Sequence, residues 1–296
     1  MAIIQWFPGH MAKARREISE KVKLVDLIIE LKDARIPYSS TNPMVDEIVG
    51  NKPRLILLCK SSIADPVVTK KWMEYYASKG ILSLDIDSIT GYNVKNVIPY
   101  CKLALKEVFE KRREKQIKSE QIKAIIIGIP NVGKSTIINT LAKRKAANVG
   151  DKPGVTKSQT WIKVTQDLFL LDTPGILWPK FEDQMVGLKL AMCGSIKDEI
   201  LDLQGICAES ISYITKCYPE LLKKRYNLTE LDEDPYVVIE QIGKNRGCML
   251  KGGIIDTERV HKLFMNELRA MKIGAMSYEK PEDFNRSEDE GNCWFI

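Results

Sequence analysis

At about 100–200 residues per domain, a chain of 296 residues is long enough for two domains, and 44% hydrophobic with 28% charged residues exclude wholesale disorder. Lys plus Arg number 45 against 39 Asp plus Glu, and this net charge of +6 fits an anionic partner without specifying one. No apolar run approaches the ~20 residues that a membrane-spanning helix needs, so no membrane span is expected. The 7 Cys are an odd number without a C-x-x-C pair, which predicts free thiols in a reducing, cytoplasmic setting rather than a zinc site or a disulfide frame.

The N-terminal MAIIQWFPGHMAKARRE lacks a secretory apolar stretch and a cleavage site, and Pro8 and Gly9 interrupt any helix there. A short helix over 12–21 is predicted next, then a largely buried strand over 24–30 and a Pro/Ser/Asn-rich loop over 36–43. A helix over 45–49, a strand over 54–58, a helix over 72–78, a strand over 81–85 and a helix over 94–109 follow. The charged stretch 107–123 extends that helix and links two halves. A buried strand over 124–127 leads into Gly128, a helix covers 136–141, and a hairpin pairs 161–164 with 168–171 around Thr165, Gln166 and Asp167. Strands alternating with helices predict an α/β fold with a parallel sheet covered on both faces. From about Phe181 apolar residues recur at helical spacing (Leu188, Met192, Ile196, Ile200; later Val260, Leu263, Phe264, Leu268, Met271), and Asp256 is a plausible N-cap. The expected organisation is 1–180 as one domain, 181–277 as a smaller all-α domain, and 278–296 as an acidic, flexible tail.

Gly128 to Ser135 read G-I-P-N-V-G-K-S, which matches G-x-x-x-x-G-K-[ST] between a strand and a helix. Gly128 and Gly133 let the backbone curl so that its N–H groups, including those around Asn131, Val132 and Thr136, face phosphate oxygens at the positive end of the helix. Lys134 supplies a point charge at the β- and γ-phosphates, and Ser135 a hydroxyl for Mg²⁺. Asp172-Thr-Pro-Gly175 follows an apolar strand: the carboxylate can hold Mg²⁺ through water, and the Gly175 N–H can meet the γ-phosphate. The Gly/Pro-rich loop between these motifs offers the Thr156 hydroxyl to the metal. Together the three elements specify a GTPase-type nucleotide switch.

In ordinary GTPases the guanine-reading N-K-x-D lies downstream of D-x-x-G, and no such motif follows Gly175. Upstream, however, one strand ends in Cys59-Lys60-Ser61-Ser62 and the next in Asp87-Ser88-Ile89-Thr90-Gly91, which resembles the S-A-x-x-G base loop. The base half therefore precedes the phosphate half, an order that resembles the circularly permuted GTPases. Within them the chain resembles the YlqF/RbgA family of ribosome-assembly GTPases over nearly its whole length. The resemblance rests on P-G-H-M-A-K-A from Pro8, D-A-R-I-P from Asp33 with Ser39, Asn42 and Pro43, the 128–136 turn, P-G-V-T from Pro153, D-T-P-G from Asp172, R-G-C from Arg246, and Gly252-Gly253. It implies a Rossmann-like P-loop GTPase domain with a helical, RNA-binding C-terminal domain. It further implies GTP and GDP as ligands, with rRNA and a large ribosomal subunit precursor as partners whose binding stimulates hydrolysis. A monomer is expected.

The chain departs from the family at Cys59 and Ser62, where N-K-x-D has Asn and Asp. A charged carboxylate accepts two guanine hydrogen bonds. Ser62 accepts without a charge, and truncating such a contact costs on the order of 2–3 kcal/mol, or roughly 30–150-fold in affinity. Lys60 remains to cover the base, with Ser88 and Ile89 in the second base loop. The prediction is weaker, less selective guanine binding with the phosphate site intact. Asp65 is not expected to replace the missing Asp.

Where many GTPases place a water-orienting Gln after D-x-x-G, this chain has Ile176. The resemblance nominates His10 as the group that orients water, with a structural role as its alternative. Asn131 resembles the residue that ligates K⁺ in cation-dependent GTPases, with a loop-stabilising amide as its alternative. His261 reads as a surface residue. In the second domain Lys216, Lys223, Lys224, Arg225, Lys244, Arg246, Lys251, Arg259, Lys262, Arg269 and Lys272 are candidate phosphate contacts, with the 247–253 turn the best local candidate. An RNA-binding scaffold with a drifted nucleotide pocket is the competing expectation, and a P-loop metabolite kinase a third.

Overall fold

The computed structural model describes residues 16, 18–117, 119–143, 161–171, 183–196 and 202–284. They divide into two compact units. One runs as far as residue 171 and takes back residues 277–284; the other spans 183–276.

The first unit opens with a helical stretch over 18–22. Then come β1 (Leu27–Asp33), α1 (Pro43–Val49), β2 (Arg54–Cys59), α2 (Pro66–Ser78), β3 (Leu82–Asp85), α3 (Val97–Ala104), α4 (Lys106–Glu114), β4 (Ile122–Gly128), α5 (Lys134–Ala142), β5 (Trp161–Lys163) and β6 (Leu168–Leu171). The six strands form one sheet in the order β3-β2-β1-β4-β6-β5. All neighbours are parallel except the β5–β6 hairpin, which forms where the sequence predicts it.

Three boundaries differ most from expectation. β1 starts three residues late, because it is Ile28–Asp33 that registers with Arg54–Cys59, while Leu24 lies exposed in a turn. α2 starts six residues early: the Asp65 carboxylate accepts from the Val67 and Val68 N–H groups and Pro66 occupies the first turn. Asp65 is thus a helix cap. The helix expected over 94–109 is a short 3₁₀ turn followed by α3 and α4, which break at the fully buried Leu105 (φ −102°, ψ 11°).

On one face of the sheet Ile28, Ile125 and Ile127 pack with Ile18, Val22, Val45 and Val49. On the same face Ile56 and Leu58 meet Val68, Trp72 and Tyr76 of α2. The alternate residues Leu27, Ile29, Leu31, Leu55 and Leu57 point the other way and are also buried, so both faces are covered. α3 packs on β2 and β3, and α5 on β4. Buried charges sit inside this sheet. Arg54 pairs with Glu30, while Lys32 Nζ donates to Thr41 Oγ1 at 2.6 Å and to the Tyr76 hydroxyl at 3.2 Å. Such pairing offsets the cost of burying them.

The second unit contains α6 (Gln184–Met192), α7 (Leu203–Cys217), α8 (Pro219–Tyr226), α9 (Pro235–Asn245) and α10 (Thr257–Arg269). Asp183, Asp202, Asp234 and Asp256 each cap one N-terminus, Asp256 as its sequence position predicts. α7 is the hub and packs against the other four helices around Ile211, Ile214, Leu222, Val238, Ile242, Val260 and Phe264. His261 is a correction: it is 8% exposed, and burial lowers its pKa against the opposing charge of Asp202.

The tail is a second correction. Residues 277–284 do not fray but lie on the first unit. Tyr278 N–H donates to Arg35 O at 2.8 Å, Trp72 Nε1 to Glu279 O at 3.0 Å, and Tyr38 stacks on Phe284 at 3.9 Å between centroids. Specific hydrogen-bond partners, not composition, decide its order. Residues 285–296 lie outside the described residues.

Candidate nucleotide-binding site

The strand order reverses between β1 and β4: β1 leads to β2 and β3 on one side, β4 to β6 and β5 on the other. In open α/β sheets the crevice beyond the carboxyl ends of the strands at such a point is where ligands bind. Among the described residues, chain segments leave the sheet there after β1, β2, β3 and β4, and those after β2, β3 and β4 carry the base and phosphate motifs named above.

After β4 the chain curls through 129–133 into α5. Asn131 has φ 58° and Gly133, which caps α5, has φ 106°, both in the left-handed region. A Cβ at Gly133 would meet no atom of the described residues within 4 Å. At Gly128 the reason for glycine is different. A Cβ there would lie 3.0 Å from Leu31 Cβ, Leu31 O and Val132 Cγ1. Lys134, Ser135 and Thr136 open α5, whose first turn and positive end favour an anion. The Ser135 hydroxyl is a hard oxygen donor of the kind Mg²⁺ takes. Among the described residues no cluster of three or more His, Cys, Asp or Glu could hold a metal ion.

Beyond β2, Lys60 adopts the left-handed conformation (φ 60°, ψ 35°) and its Nζ reaches Asp33 Oδ2 at 2.9 Å. Arg35 clamps the same carboxylate through Nε at 2.9 Å and Nη2 at 2.7 Å. Burial alone would raise the Asp33 pKa, but the charges of Arg35 and Lys60 outweigh it and hold the carboxyl well below the usual carboxylate range. Lys60, predicted to cover the base, is therefore aimed by a buried carboxylate that lies outside the base and phosphate motifs. Cys59, in the Asn position, is buried with its Sγ 3.7 Å from Leu57 O, and burial pushes its thiol pKa far up. It is a core residue.

Beyond β3, the Ser62 hydroxyl donates to Asp87 Oδ2, and Asp87 Oδ1 accepts from Ile89 N at 2.8 Å and Thr90 N at 3.1 Å. Burial raises the Asp87 pKa, and these hydrogen bonds more than reverse it, so the carboxylate stays ionised. The Ile89 side chain is 85% exposed. The Thr140 hydroxyl of α5 bonds Ser88 O at 3.3 Å, tying the phosphate helix to the base loop. The structure thus gathers Lys60, Ser62, Ser88, Ile89, Asn131, Val132, Gly133, Lys134, Ser135 and Thr136 at the carboxyl edge of one sheet. His10, Thr156, Asp172 and Gly175 lie outside the described residues.

In the second unit the basic candidates separate into two groups. Arg225 forms a bidentate pair with Glu267, Arg246 Nη2 donates to Arg225 O at 2.9 Å and lies over the Tyr226 ring, and Arg269 Nη2 donates to Ala191 O at 2.8 Å. These hold the helices together. Lys216, Lys224, Lys244, Lys251, Arg259, Lys262 and Lys272 are exposed, with Lys262 paired to Glu258, and the half-buried Lys223 pairs with Glu220 at 3.1 Å.

A base half that precedes a phosphate half, both at one edge of a mostly parallel sheet, is the arrangement of a circularly permuted P-loop GTPase. The family described as 50S ribosome-binding GTPase matches residues 123–239. Over 288 residues the chain is 52% identical to the ribosome biogenesis GTPase A of Bacillus cereus, covering 97% of each. A GDP-bound YlqF structure matches at 28% identity with a TM-score of 0.64, over 90% of this chain and 100% of that one. GNP-bound YlqF from T. maritima matches at 30% identity with a TM-score of 0.62, over 91% and 99%. The chain belongs to the ribosome biogenesis GTPase A family, YlqF/RbgA. It is a GTP hydrolase, and the drifted-scaffold alternative is not favoured.

Proposed function

We propose that this chain hydrolyses GTP during maturation of the large ribosomal subunit, with rRNA of the precursor particle engaging its second unit. The observation that supports this best is the phosphate turn and both base loops meeting at one switch point, in a chain of this family. Lys134 holds the β- and γ-phosphates, and the N–H groups of 131–136 cradle them. Ser135, Thr156 and Asp172 are the residues that would hold Mg²⁺, and Asn131 would hold K⁺. These cations supply charge neutralisation on the phosphates. Gly175 meets the γ-phosphate, and His10 orients the attacking water. Lys216, Lys224, Lys244, Lys251, Arg259 and Lys272 are exposed to reach RNA phosphates, and Lys262 can do so by leaving Glu258; Arg225, Arg246 and Arg269 serve the fold. The protein acts as a cytoplasmic monomer. No helix among the described residues is long and apolar enough to cross a membrane.

The test measures GTP and ATP binding and turnover in K⁺ or Na⁺, with and without large-subunit particles. GTP preference and particle-stimulated hydrolysis are expected. GTP binding without stimulated turnover would favour a scaffold. His10→Ala is expected to lower turnover by about 10²–10⁴-fold and leave GTP affinity unchanged; an unchanged rate removes His10 from the mechanism.

A further inference from the structure

The guanine-reading position that should carry a carboxylate carries Ser62, and the next carboxylate in the sequence, Asp65, caps α2. The fold brings another to that position. Ser61 N–H bonds Ile86 O at 3.1 Å, which sets the end of β2 beside the end of β3. That register delivers the Ser62 hydroxyl to Asp87 Oδ2. Asp87 is 4% exposed, and Ser62 is exposed at the mouth of the crevice. Two backbone N–H groups, those of Ile89 and Thr90, fix the carboxylate from behind through Oδ1.

A serine that gives its proton to a buried carboxylate has a defined orientation. Its two oxygen lone pairs are turned away from the donated proton, and the charge behind them makes them stronger acceptors. We propose that Ser62 and Asp87 together replace the missing carboxylate: Ser62 Oγ accepts from the guanine N1–H and N2–H edge, and Asp87, acting through Ser62, supplies the negative charge that makes this edge preferred. This deepens the GTP-binding reading and rests on it. Adenine presents a bare N1 acceptor at that edge, and the serine could donate to it only by surrendering its bond to Asp87. Xanthine presents an oxygen in place of the 2-amino group and meets lone pairs. The sequence-based expectation of weak selectivity is therefore revised: charge is conserved at the site while its residue changes.

The experiment measures affinities of the full chain for GTP, ITP, XTP and ATP with Mg²⁺, for the parent, Asp87→Asn, Ser62→Ala and the double variant S62D/D87N. ITP lacks only the 2-amino group, so the GTP-to-ITP ratio isolates that donor. Asp87→Asn keeps the shape and one carbonyl oxygen for the Ile89 and Thr90 N–H groups. It is expected to weaken GTP about tenfold, the order for a charged hydrogen bond made neutral, to lower the GTP-to-ITP ratio and to raise XTP relative to GTP. Ser62→Ala lowers the same ratio, and S62D/D87N restores it by returning the charge to position 62. A merely structural defect would weaken all four nucleotides equally and leave the ratios unmoved. Ratios unchanged within twofold in both single variants, in a parent that prefers GTP, overturn the inference and leave the GTPase reading standing. A parent that binds no nucleotide overturns both.

Discussion

Glu279 offers the clearest test of how the base half is held. Its carboxylate is fully buried, accepts from Tyr38 N at 2.8 Å and from Ser39 N at 3.1 Å, and takes the Ser39 hydroxyl as well. Those donors belong to the loop that follows β1, five and six residues beyond Asp33, which aims Lys60. Replacing Glu279 by Ala strands two backbone N–H groups and one hydroxyl in a buried place. Each hydrogen bond to a charged group is worth about 1.5–3 kcal/mol, and an orphaned donor costs about 1–3 kcal/mol. Simple addition overstates the loss, because residues 277–284 can lift away before the sheet unfolds. The remaining attachments include the Tyr278 N–H and Trp72 Nε1 bonds, Asp65 N–H to Ser277 Oγ at 3.1 Å, the Lys71–Glu282 ion pair, and the rings of Tyr38 and Trp72 against Phe284. A loss of roughly 3 kcal/mol, or ~150-fold in local opening, is expected. Hydrogen exchange at the Tyr38 and Ser39 amides reads it directly, and limited proteolysis near residue 277 reads it a second way. Glu279→Gln keeps one acceptor oxygen and falls between. If Glu279→Ala exchanged at those amides like the parent, the reasoning that this carboxylate anchors the loop would be wrong.

Two further outcomes follow from the same geometry. Gly128→Ala sets a methyl 3.0 Å from a backbone oxygen and two side-chain carbons, which is overpacking worth about 1–3 kcal/mol; the Tm and the GTP affinity are both expected to fall, and a parent-like Tm refutes the close approach. Asp33→Asn breaks a buried cluster with Arg35 and Lys60 and should cost about 3–5 kcal/mol at neutral pH in urea titrations. Because the folded carboxyl is held below its ordinary value of 3.8, its contribution is present above that pH and is lost as the pH falls from there toward the depressed folded value. The gap between parent and variant should therefore narrow in acid, and a gap that stays constant from pH 7 to pH 3 contradicts the assignment.

What the sequence discloses depends on how far apart the interacting residues lie. The phosphate turn is legible because strand, glycines, lysine and helix are consecutive, so each reading checks its neighbour. The permuted order is legible for the same reason: Lys60 and Ser88 each follow a recognisable apolar strand. The break at Leu105 is not, since neither Gly nor Pro marks it and the leucine is simply buried. Nor is the sorting of the arginines: Arg225 and Glu267 meet only once α8 and α10 have packed. Glu279 lies 240 residues from its partner Ser39, and an acidic stretch of that composition reads as solvated tail.

Permuting the motifs leaves the sheet neighbours in place, so the crevice survives the reordering. β4 still lies against β1, and α5 still reaches Ser88 through Thr140. What the reordering changes is which segments are joined covalently. The chain that leaves the second unit at residue 276 enters the segment bonded to Arg35, Tyr38 and Ser39, on the base half and not on the phosphate half. A load on the second unit therefore has a direct covalent route to the loop beside Asp33, in addition to the covalent link that residues 172–182 make with β6 on the phosphate half. Coupling through that route needs Glu279 to hold, which is why its substitution should change local exchange at Tyr38 and Ser39 before it changes the stability of β4.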